Sequence, residues 1–192
     1  KSGDLEVKRQ ATWEMSDHIE DEILRRYDKG ILSLAERCDC PLMWSHYADQ
    51  HRGLCLGYSV PPEPDLDIRQ VEYGGKRLVP ASRLKAMLEG NKNAEAAVDQ
   101  AAFLTKAFDW KYEKEWRLVA PRGESGSYLE LEEVIFGLRF PDVLIPPIVK
   151  SMFKRDREVK FFRMQETRGT FELRSHELDS GKQRERMAVR YR

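Results

Sequence analysis

The chain has 192 residues, 41% hydrophobic and 34% charged, a length that buries a core without disulfide or metal staples and an apolar share that excludes global disorder. Thirty-three basic residues balance thirty-three acidic ones, so no bulk field steers the molecule toward nucleic acid or membrane, and only a local basic patch near the C-terminus stands out. No stretch approaches the roughly 20 apolar residues that span a bilayer, and no basic-then-apolar signal segment opens the chain.

Residues 1–11 are polar, and the first residue is Lys1 rather than methionine, which reads as a piece of a longer polypeptide. From Thr12, the residues Trp13, Met15, Ile19, Ile23, Leu24 and Tyr27 recur at mostly three- and four-residue steps, the pattern of an amphipathic helix with His18 on its polar side. Gly30 suits the left-handed position that stops it. Residues 30–35 are short, apolar and bounded, a strand. Pro41 suits the first turn of a helix that carries MWSHYA and ends before Gly53. Residues 54–60 read as a strand that enters the proline-rich loop PPEPDLDIR, and residues 69–73 as another that ends at Gly74-Gly75. Alanine-rich residues 81–107 form one long helix, or two broken around Gly90-Asn91. After the turn at 122–127, residues 128–132 alternate as a half-exposed strand and 134–137 continue it. Residues 141–155 predict a helix whose start the Pro146-Pro147 pair delays. Residues 159–164 and 170–174 predict an antiparallel hairpin around the turn at 167–169. The expected class is α+β, a single domain over 12–177 with a mostly antiparallel sheet of five to seven strands and three or four helices, followed by a charged tail over 178–192.

The stretch KAFDWKYEKEWRL, residues 106–118, concentrates acids, bases and aromatic rings. Read as a strand, it lines Glu113, Glu115 and Arg117 along one face; read as a helix, it pairs Glu113 with Arg117 one turn apart. The strand is favoured, because tryptophan and tyrosine suit a half-buried pleated surface. The bland account of Glu113, Glu115 and Arg117 is a salt-bridged solvent face. Against it stand Trp110, Tyr112 and Trp116, rings that are costly to leave in water. Two carboxylates in one cleft repel, which raises one pKa while an adjacent arginine keeps the other ionised, a usable acid/base pair. Upstream, Trp44, His46 and Tyr47 either bury a helix or border a ligand pocket.

Cys38, Cys40 and Cys55 cannot all pair with one another, and their spacing suggests no secreted framework, so a reducing cytoplasm is expected. Cys38-x-Cys40 followed by His46 and His51 offers four donors, but two thiolates one residue apart close poorly around a tetrahedral ion, so no metal is expected. Cys55 reads as a small buried hydrophobe. Dinucleotide-fold, P-loop, zincin and α/β-hydrolase motifs are absent from the sequence.

Two blocks, LMWSHYADQHRGLCLGY and KAFDWKYEKEWRLV, together resemble a bacterial and phage-associated family, domain of unknown function 2971. The matching residues are Met43, Trp44, Ser45, His46, Tyr47, Ala48, His51 and Gly53, then Lys106, Trp110, Tyr112, Glu113, Glu115 and Arg117. In outline the order of elements is also similar to ADP-ribosyltransferases. That likeness implies NAD as substrate, with Glu115 binding a ribose hydroxyl, Glu113 orienting the acceptor, and Tyr47 or His46 stacking on nicotinamide. The family's usual serine-bearing strand corresponds to Ser33-Leu-Ala-Glu36, where the expected serine is Ala35.

The function expected on these grounds is an ADP-ribosyltransferase-like or other NAD-processing domain of a cytoplasmic bacterial protein. Glu113 and Glu115 would be its catalytic pair, and Trp44, His46, Tyr47, Lys106 and Arg117 its ligand-binding residues. The alternative is a non-catalytic interaction module with a protein partner, in phage defence or a toxin system, where the same groups form a buried ion-pair network. A weaker third reading has nucleic acid held by the basic tail, residues 182–192.

Overall fold

The computed structural model describes residues 2–26, 28–62, 66–76, 78–123 and 128–179. Helix α1 (Ser2–Arg26) begins ahead of the expected start at Thr12, because Glu6, Lys8, Arg9 and Gln10 propagate a helix as well as apolar residues do. Its Ile23 packs against Met87, Ala94 and Val98, whereas Trp13 stays exposed. The side chains of Met15, His18, Ile19 and Leu24, and all of Tyr27, lie outside the described residues, as does the tail from residue 180.

The strands are β1 (Lys29–Ala35), β2 (Leu54–Ser59), β3 (Ile68–Gln70), β4 (Glu72–Tyr73), β5 (Thr105–Lys106), β6 (Glu115–Pro121), β7 (Glu130–Phe136), β8 (Lys160–Glu166) and β9 (Leu173–Glu177). The further helices are α2 (Pro41–Tyr47), α3 (Ala81–Leu88), α4 (Lys92–Phe103) and α5 (Ile145–Met152). The α+β class holds. The expected single sheet does not: the strands form three small ones, ordered β1-β6-β3, β2-β7-β8-β9 and β4-β5.

One local cause separates the strands, and a second makes the largest sheet mixed rather than antiparallel. The strand expected over 69–73 breaks at Val71, whose N–H goes to the Glu115 carbonyl, so that β3 pairs with β6 while β4 pairs in parallel with β5. Between β7 and β8 the chain crosses over through α5, and a helical crossover delivers a parallel neighbour rather than a hairpin. The hairpin expected late in the chain is present as β8 and β9, with Arg163 opposite His176.

The four-stranded sheet is buried on both faces, which explains the unbroken apolar run of Val134, Ile135 and Phe136. On one face Val134, Phe136 and Phe161 meet Ile145 and Val149 of α5. On the other, Ile135, Met164 and Leu173 meet Trp44 of α2, with Cys55 packed alongside. A third cluster lies under α3 and α4, whose break is Gly90 at φ +89°. The Asn91 side chain then accepts hydrogen bonds from the N–H groups of Asn93 and Ala94 and so starts α4. Pro146 and Pro147 sit in the first turn of α5, where their missing N–H groups cost nothing. Among the described residues no helix is long and apolar enough to cross a membrane.

Candidate functional site

The central stretch is neither the continuous strand nor the helix face that its pattern suggests. Lys106 ends β5, residues Phe108–Glu113 form a 3-10 helix, and Lys114 turns left-handed at φ +46° before β6 begins at Glu115. That reversal is the physical reason for the difference. It folds the glutamate at the end of a short helix back toward the glutamate that opens a strand, and Lys106 closes the gap between them. Rings brace the turn: Trp110 and Tyr112 lie 6.0 Å apart, and the Lys106 ammonium sits 5.0 Å over the Trp110 ring.

The two sequence blocks converge. Tyr47 Oη, at the end of α2, donates to Glu113 Oε1 at 2.8 Å, joining residues 66 positions apart. Lys106 Nζ bridges both acids, pairing with Glu113 Oε2 and, at 3.1 Å, with Glu115 Oε2. Arg117 grips Glu115 with two nitrogens, Nε to Oε1 at 2.8 Å and Nη2 to Oε2 at 3.2 Å, and its Nη1 donates to the Phe103 carbonyl at the end of α4. Glu113 and Glu115 are only 2% and 5% exposed. The solvent-face account is therefore overturned: these charges are paired inside the protein, with two acids balanced by two bases.

Electrostatics follow from this packing. Burial by itself would raise the Glu115 pKa, but hydrogen bonds from Arg117, Ser33 and Lys106 outweigh it and hold the carboxyl below its ordinary value. For Lys106, burial pulls the pKa down and the two glutamates more than compensate, so the net shift is upward. The Tyr47 phenol is pushed up by burial and by its hydrogen bond to Glu113. The cluster thus holds Lys106 as a cation against Glu115 as an anion.

Six of the seven candidate residues meet around this cluster, and one does not. Trp44 is 3% exposed and packs with Ile135, Met164 and Leu173, its Nε1 donating to the Cys38 carbonyl, so it belongs to the core of the four-stranded sheet rather than to the charge cluster. His46 is exposed and meets Trp110 edge-on at 5.9 Å. Tyr47 is 62% exposed even though its hydroxyl reaches inward. Sequence reasoning missed two contributors. The Tyr73 hydroxyl accepts from the Glu115 N–H at 2.8 Å, and Ser33, rather than the Ala35 position, is the β1 hydroxyl that helps hold the Glu115 pKa down. The signal for Ser33 lay in strand pairing, which sets it opposite Arg117. Among the described residues no group of three His, Cys, Asp or Glu is placed to hold a metal ion.

Fold and cluster together define an α+β protein with three small sheets, two of which, with the end of α2, hold a paired-glutamate centre gripped by a lysine and an arginine. Residues 43–118 match the family described as Protein of unknown function (DUF2971), the family that the two sequence blocks resemble. The matched segment contains Trp44, His46, Tyr47, Lys106, Glu113, Glu115 and Arg117. No curated protein and no solved structure matches the chain.

Proposed function

We propose that this chain processes NAD in the manner of an ADP-ribosyltransferase, in the bacterial cytoplasm, with Glu115 holding a ribose hydroxyl and Glu113 orienting the acceptor. One juxtaposition supports the reading: two buried carboxylates lie directly beneath an exposed aromatic rim. Tyr47 caps Glu113, and His46 and Trp110 stand beside it. Flat amphipathic rings stack a planar heterocycle, and carboxylates accept ligand hydroxyls. A carboxylate offers about four lone-pair sites. Glu113 uses two of its own, for Tyr47 and Lys106, and so keeps capacity toward an acceptor. Glu115 takes two hydrogen bonds from Arg117 and one from Lys106, which leaves one of its sites for a ribose hydroxyl. The test is thermal melting with and without NAD, followed by turnover of labelled NAD. A rise in Tm with NAD, and turnover that disappears in Glu115→Gln, support the reading; no shift and no turnover overturn it.

The close pairing of Glu115 with Arg117 and Lys106 favours a second reading, a non-catalytic interaction module whose ion-pair network fixes the fold. In that case NAD neither raises Tm nor is turned over, although Glu115→Gln still lowers Tm.

A further inference from the structure

Strand β2 is one of the two edges of the four-stranded sheet, opposite β9. Its residues alternate in burial, and Leu54, Leu56 and Tyr58 are between 36% and 41% exposed. In register they lie beside Phe136, Val134 and Leu131, which are buried against α5. The row is therefore the uncovered margin of an otherwise closed core. Edges of this kind are usually blunted by charge or proline, yet residues 53–60 carry neither, and the first proline is Pro61. A bulge between Gly57 and Tyr58 leaves the stretch before it regular.

The opposite face of β2 is chemically different. Gly57 pairs with Glu133, and a side chain at Gly57 would have its Cβ 3.2 Å from Glu133 Oε2, so the glycine leaves that carboxylate uncovered along the edge. Among the described residues Glu133 has no hydrogen bond or ion pair of its own. The edge thus offers apolar side chains on one face and an unpaired carboxylate on the other, at strand spacing.

We propose that β2 accepts an added strand from a partner protein: an extended segment in which apolar and basic residues alternate. Its apolar residues continue the core over Leu54, Leu56 and Tyr58, and a lysine or arginine reaches Glu133 across Gly57. A second copy of β2 is the poorer occupant, because its sequence brings no basic residue to meet Glu133.

The probe is a fluorescent heptapeptide of alternating lysine and valine, titrated by anisotropy into the full chain. The controls are a peptide of the same composition with its lysines and valines in blocks, and one with a central proline. The alternating peptide binds, and both controls bind about tenfold more weakly or worse, because strand addition needs alternation and backbone N–H groups. Leu56→Lys weakens binding about tenfold or more, Glu133→Gln about threefold to tenfold, and Ile31→Lys, on the exposed strand of another sheet, leaves it unchanged. Equal affinity for the block peptide, or a wild type that is a dimer made monomeric by Leu56→Lys, overturns the proposal. The peptide controls on wild type decide the matter even if Leu56→Lys fails to fold.

Discussion

At the scale of single residues, the cost of burying Glu115 is met by Arg117, Ser33 and Lys106. Because its folded pKa lies below the unfolded value of about 4.3, its contribution to stability is complete above that pH and is lost as pH falls through the folded value. Tm measured from pH 7 downward should stay nearly level to about pH 5 and then drop, and Glu115→Gln should begin lower and fall less steeply. Arg117→Ala leaves a buried carboxylate with only Lys106 and Ser33, a loss of about 3–5 kcal/mol by denaturant titration. The charged members of this cluster were legible in the sequence because acids and bases crowded among tryptophans have no cheap place in water. Trp44 was misread for the opposite reason: an indole beside a histidine and a tyrosine looks the same in sequence whether it faces a ligand or a core.

At the scale of elements, the link from α2 to β2 depends on backbone that sequence pattern does not reveal. The expected helix runs to Gly53, yet it ends at Tyr47, and Asp49, Gln50 and His51 then adopt positive φ. Asp49 and His51 are of types enriched in that conformation, but the enrichment is too weak to place three such residues in a row. The turn closes through His51 N–H to the Trp44 carbonyl and Gly53 N–H to the Ala48 carbonyl, and it docks on the end of β7 at Gly137. A Cβ at Gly137 would sit 2.3 Å from the His51 carbonyl oxygen and 2.8 Å from that of Gly53, contacts with backbone that cannot swing aside. Gly137→Ala should therefore cost roughly 2 kcal/mol or more in urea unfolding. Gly57→Ala should cost less, since its Cβ would lie 3.0 Å from Glu133 Cβ and 3.2 Å from Oε2, contacts that a shift of a few tenths of an ångström relieves. By contrast, the break at Gly90-Asn91 was readable because an asparagine cap and a left-handed glycine are sequence signals with a mechanism.

At the scale of the whole molecule, the charge cluster ties α2, β4, β5 and β6 together, whereas the four-stranded sheet has its own cores on both faces. Hydrogen exchange should register that division. In Arg117→Ala, amides of β3, β4 and β6 lose protection while those of β7 and β8 keep it; uniform loss across both sets would show one indivisible cooperative unit. Periodicity, capping and turn residues determined by themselves that the chain is α+β, where most helices and strands lie, and that residues 106–118 and 43–48 are chemically unusual, because these are properties of local segments. Only tertiary structure decided that the strands divide among three sheets, that Glu113 and Glu115 are paired in the interior, and that Tyr47, Tyr73 and Ser33 reach them. Those outcomes depend on which distant backbone groups pair and which side chains lose their water, and neither is encoded within any one stretch of chain.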